Sequence, residues 1–118
     1  MAFFYLGSPY SKFHLGMDAA ALAACHARGV LVSAGIPCFS PIIHSHFVAK
    51  VCKMDPTDYN IWMPSERPIM EAANGLIVLK LLGWQESVGL RLEMDFFNEK
   101  GLPIVYMDPG IVPVELFG

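Results

Sequence analysis

The sequence predicts a three-layer α/β/α sandwich built on a mostly parallel sheet of about four to five strands. Three observations lead there. Short apolar runs alternate with helix-like stretches along the chain. The runs, "GLIVL" above all, are continuously apolar rather than alternating, as strands covered on both faces are. At 118 residues the chain can build one core but not two, so residues 1–118 are expected to form a single domain.

Each element has its own local signal. "AFFYLG" is a β-rich run ended by Gly7, Ser8 and Pro9, a strand entering a turn. "MDAAALAACHARGVLVSAG" is rich in helix-forming alanine and stops at Gly35 before Pro37, with Gly29 as a weak point inside it. "IPCFSPI" reads as a second short strand leading into a loop that carries His44 and His46, and "HFVAKVC" as a helical turn. "DPTDYNIWMPSERPIMEAAN" holds a further helix with Pro64 or Pro68 near its beginning. "GLIVLKLL" is a buried strand. "SVGLRLEMDFFNEKG" is a helix with Ser87 as N-cap and Gly101 as stop. "LPIVYM" is the last clear strand, and the tail "DPGIVPVELFG" carries no decisive pattern. The series is that of a Rossmann- or flavodoxin-like sheet.

Composition limits the partners. A net charge of −3 and the absence of any basic run argue against binding a nucleic acid polymer or an anionic membrane through an electrostatic patch. No apolar run approaches the ~20 residues of a membrane span, and the N-terminus has no basic start, so a cytoplasmic protein is expected. Hydrophobic content of 54% beside 16% charged residues is high for so small a monomer, which predicts a homodimer or higher homo-oligomer. Cys25, Cys38 and Cys52 form no C-x-x-C pair and read as free thiols. The spacing of Cys38, His44, His46 and Cys52 matches no usual zinc pattern, so no metal is expected. No G-x-G-x-x-G or Walker motif occurs, and no cofactor is called for.

One residue breaks the helix pattern. At about 100° per residue, Gly89, Leu90, Leu92, Met94, Phe96 and Phe97 share one broad arc of the Ser87 helix, and Glu93 falls near its middle. A carboxylate pointing inward is either half of a buried ion pair or a reactive group in a pocket, because an unpaired buried charge costs several kcal/mol or shifts its pKa. In open α/β sheets the ligand crevice lies beyond the carboxyl ends of the strands. "YLGSPYS", "FSPIIHSH" and "GWQES" are therefore expected to converge there. Ser87 and Gly89 would also offer an anion the free N–H groups of a helix start.

"YLGSPYS", "FSPIIHSH", "GLIVL" and the S-x-G-x-x-x-E spacing of Ser87, Gly89 and Glu93 together resemble the nucleoside 2-deoxyribosyltransferase superfamily, in particular its small bacterial and phage members and the deoxynucleoside 5′-monophosphate N-glycosidases. The resemblance runs from Tyr5 to about Asp108. It implies that Glu93 is a nucleophile attacking the anomeric carbon of a ribose or deoxyribose to give a covalent glycosyl-enzyme, with room made by Gly89 one turn earlier. It implies that Tyr5 orients that carboxylate through its O–H. Glu66 falls where relatives carry an aspartate, and is either the general acid for the departing base or a solvated carboxylate. Asn74 stands where many relatives have Asp.

Ser87, in place of the Asp of members that act on free nucleosides, favours a 5′-monophosphate, held with Gly7, Ser8, Pro9 and Gly89. His44 and His46 are candidates for contacts to base or phosphate, and Trp84 and Trp62 for walls of the base site. The expected activity is cleavage of a nucleotide or nucleoside N-glycosidic bond, by hydrolysis or sugar transfer. The alternative is a catalytically inactive nucleotide-binding module of the same fold.

Overall fold

The computed structural model describes residues 2–117. Strand β1 (Phe4–Gly7) is followed by helix α1 (Met17–Ser33), a two-residue strand β2 (Cys38–Phe39), and helices α2 (Pro41–Cys52) and α3 (Tyr59–Ala72). Strand β3 (Leu76–Leu79), helix α4 (Val88–Glu99) and strand β4 (Ile104–Met107) complete the series, and a short 3₁₀ turn covers Val114–Phe117. The four strands lie in the order β2-β1-β3-β4, all parallel. The chain winds outward from β1 to β2, then crosses back to β3. The order therefore reverses between β1 and β3, and that switch point is where an open α/β sheet opens a crevice.

Side chains alternate across the sheet because the strand repeat is two residues. Leu6, Ile77, Leu79 and Met107 point to one face, where they pack with Ala27 and Leu31 of α1. Tyr5, Leu76 and Val78 point to the other, against Met70 of α3 and Leu90 and Phe97 of α4. Helices thus cover both faces of one sheet, the three-layer arrangement predicted. Leu6, Leu31, Ile77 and Leu79 are fully buried, each worth roughly 1.5–3 kcal/mol in transfer free energy.

Two boundaries differ from the sequence reading. The strand expected over "IPCFSPI" ends at Phe39, because Ser40 caps a helix: its hydroxyl accepts the Ile43 N–H at 3.3 Å, and Pro41 occupies the first helical position, where a missing N–H costs nothing. His44 and His46 therefore lie on α2, not in a loop. Helix α3 starts at Tyr59, capped by Asp58, and carries Pro64 and Pro68 inside it rather than near its beginning. It tolerates them because both prolines sit on the exposed face, while Trp62, Glu66 and Met70 form the buried stripe at i, i+4, i+8. Gly29 does not interrupt α1. No helix among the described residues is long and apolar enough to cross a membrane.

Candidate active site

The carboxyl end of β1 meets the start of α4 at the switch point. Ser87 caps α4 by accepting the Leu90 N–H at 3.3 Å, which sets the register that turns Glu93, six residues on, back toward β1. The contact is close. A Cβ built on Gly7 would lie 2.5 Å from Glu93 Oε1 and 2.7 Å from Leu90 Cδ1, so only glycine at the end of β1 lets this carboxyl sit over the strand. Gly89, which the sequence reading credited with that room, has nothing within 4 Å of a built Cβ. It opens onto the cavity instead.

That cavity is about 570 Å³ and is walled by five segments, one of them the α2–α3 loop with Pro56 and Thr57. Ser8, Tyr10 and Ser11 come from the β1 loop, Pro41, Ile42 and Ser45 from the start of α2, Trp62, Met63 and Glu66 from α3, and Ser87, Gly89 and Glu93 from α4. The loops after β1, β2 and β3 do converge, joined by α3. Trp62 is fixed as a flat wall by donating its indole N–H to the Asp55 carbonyl at 2.8 Å. The Ser8 hydroxyl is buried without a hydrogen-bond partner and belongs to the cavity lining, leaving it free to bond a ligand.

The electrostatics are those of two acids in one apolar enclosure. Burial, reinforced by the charge of Glu66, pushes the Glu93 carboxyl up to about 8. Burial alone pushes Glu66 up to about 7. No cationic side chain lines the cavity, and the ion pairs of the described residues lie elsewhere. The buried ion pair that would have explained Glu93 structurally is not formed. Beneath the two acids Tyr5 is fully buried, and its phenol is held above its ordinary range by burial and by the charges of Glu93 and Glu66. Its O–H makes no hydrogen bond, so the orienting bond to Glu93 expected from the sequence is not made.

Other expected site residues fall outside the main cavity. His44 packs edge-on against Trp62 at 6.3 Å between ring centroids and tilts against Phe39. It buttresses the Trp62 wall from behind. His46 is buried and turned toward Tyr10 and Asp18. Trp84 packs on Tyr106 and the α4-side core, and Pro9 lines a smaller adjoining hollow with Gly83, Ser87 and Val88. The sequence reading did not single out Tyr10, Ser11 and Ser45, whose common signal is position just after β1 or at the head of a capped helix. Among the described residues no group of three His, Cys, Asp or Glu side chains is arranged to hold a metal ion.

The model of the family described as "Domain of unknown function (DUF1937)" matches residues 2–109. No curated protein matches the chain.

Proposed function

The chain belongs to the DUF1937 family, and from the cavity it builds we propose that it is an N-glycosidase acting on a nucleoside or nucleoside 5′-monophosphate. The observation that carries the reading is the placing of Glu93 and Glu66 on two walls of one cavity with no cation between them. Glu93, ionised, attacks the anomeric carbon as the C–N bond breaks. Glu66, protonated, gives its proton to the departing base nitrogen. Water or a second base then attacks the glycosyl-enzyme; Glu66 takes back a proton and the Glu93 carboxylate is released. Burial raises Glu93 further than Glu66, so the two carboxyls titrate as a pair, and the reactive form is the one with the shared proton on Glu66 and Glu93 ionised. Squeezed against Gly7, Glu93 has little freedom to turn away from the sugar.

The resemblance of the Ser87, Gly89 and Glu93 spacing to nucleoside 2-deoxyribosyltransferases supports the same reading. A 5′-phosphate has one suitable place, beside Ser87 and the N–H groups of Val88 and Gly89, which have no acceptor within the helix. A neutral sugar is suited equally by Ser8, Ser11 and Ser45. The reading includes a cytoplasmic homo-oligomer, supported by the exposed Leu22, Phe47 and Val51 on α1 and α2; light scattering at micromolar concentration should give more than one chain per particle.

Chromatographic detection of free base, after incubation with the common ribo- and deoxyribonucleosides and their 5′-monophosphates, tests the reading. Wild type should release base from at least one, and Glu93→Gln should slow release by at least about a thousandfold while leaving the fold intact. Binding without release by the wild-type protein would instead select the inactive nucleotide-binding module.

A further inference from the structure

A second polar system reaches the same cavity at Tyr10, built from residues far apart in sequence. The Tyr10 hydroxyl lies 2.6 Å from His46 Nδ1, and His46 Nε2 lies 2.9 Å from Asp18 Oδ1. Lys50 holds the same Asp18 oxygen from the other side, at 2.5 Å. Tyr10 is on the cavity wall, His46 is buried behind it, and Asp18 reaches solvent, its side chain 70% exposed. The tyrosine and histidine rings meet edge to face, 5.6 Å apart at 89°, which fixes the hydroxyl against the imidazole.

The acceptors in this row determine where the protons sit. Asp18 is a carboxylate, kept below its ordinary range by Lys50 and then by His46, and it can only accept. A neutral His46 must therefore carry its hydrogen on Nε2, leaving Nδ1 as a lone pair. The phenol is kept protonated by burial and by the charges of Asp18 and Asp55, so its O–H donates to Nδ1. Nothing is left on Tyr10 Oη for a ligand except lone pairs.

We infer that Tyr10 is a specificity-determining residue of the cavity whose polarity is set by His46 and Asp18. With its own hydrogen committed to His46 Nδ1, it accepts a hydrogen bond from a hydroxyl or amino group of the ligand. His46 and Asp18 act through Tyr10 and are positioning residues. The groups that face the histidine are Tyr10 from the β1 loop, Asp18 and Cys25 from α1, and Lys50 from α2. The inference depends on the N-glycosidase reading only for the identity of the ligand.

Two measurements on the full chain test it. The first is ¹⁵N NMR of the His46 imidazole between pH 5 and 9 in the wild type, Tyr10→Phe and Asp18→Asn, which needs no substrate. The expected result is a neutral Nε2–H tautomer, an Nδ1 resonance that shifts in Tyr10→Phe, and a mixed tautomer in Asp18→Asn. An Nδ1–H tautomer in the wild type, or a resonance indifferent to Tyr10→Phe, overturns the inference.

The second uses whichever substrate releases base. Tyr10→Phe should raise KM about tenfold with kcat little changed, the effect of losing one hydrogen bond common to ground and transition states. Asp18→Asn, which loosens the tautomer but leaves the phenol in place, should raise KM less than Tyr10→Phe does. Unchanged KM in both variants overturns the inference while leaving the glycosidase reading in place. The predicted tautomer with no base release from any substrate overturns the glycosidase reading and leaves the Tyr10 device standing.

Discussion

The two faces of the sheet are built to different rules. Against α1 the packing is apolar throughout, with Leu6, Leu31, Ile77, Leu79 and Met107 in one sealed cluster. Against α3 and α4 the same strands present Tyr5 beneath Glu93 and Glu66, with an unpartnered phenol in the core and two acids raised toward neutrality. The α1 face contributes stability. The α4 face gives some of it up to hold Glu66 buried and Glu93 half-buried, a cost that fits the catalytic role proposed for them.

Leu31→Ala would test this division most strongly. Removing a fully buried side chain from the α1 face should cost about 2–5 kcal/mol in urea unfolding, with activity per folded molecule unchanged. Equal loss of stability and specific activity would mean that the faces are not separate. Gly7→Ala should have the next largest effect, because the added methyl meets Glu93 Oε1 and Leu90 Cδ1. We expect destabilisation of roughly 1–3 kcal/mol from overpacking, and here, unlike Leu31→Ala, lost activity in the molecules that still fold.

A further effect concerns pH. Glu66 and Glu93 have folded pKa values above the ordinary carboxylate value of 4.5, so the folded state binds protons more tightly than the unfolded one. Their penalty is absent below about pH 4.5, grows as pH rises, and is complete only above about 8. Thermal unfolding should therefore show a Tm that falls between pH 5 and 8.5. Glu93→Gln should flatten that slope and raise the Tm at pH 8.5; a wild-type Tm rising over this range would contradict the burial of both acids. Because the two carboxyls share a cavity, the activity profile should be bell-shaped, with limbs that belong to the pair rather than to either residue.

Much of this was legible in the sequence because the deciding signals are local. "GLIVL" could only be a buried strand, and Ser87 with Gly101 bracket α4 within two residues of its observed bounds. Glu93 stood out because a helix has a fixed angular repeat. The Ser40–Pro41 helix start was equally local. The apolar run before it masks it, because that run reads as a strand carried on toward the histidines. Once on a helix, His44 and His46 lie two positions apart and face different neighbours, one Trp62 and the other Tyr10. The Tyr10–His46–Asp18 row links residues 8 to 36 positions apart through three separate elements, and no periodicity within one element records it. The crowding at Gly7 was equally hidden, since it depends on how β1 and α4 pack.

Helix α3 adds a mechanical consequence. Proline at 64 and 68 removes the N–H groups that would have tied back to the carbonyls of Asn60 and Pro64, so two successive rungs are missing along one side of the helix. That side faces solvent, and the opposite side carries Trp62 and Glu66 into the cavity. The result resembles a leaf spring clamped at both ends and cut through on its outer surface. The wall that carries Glu66 is therefore backed by a helix with fewer hydrogen bonds on its outer side than α4, on which Glu93 is wedged over Gly7 of β1.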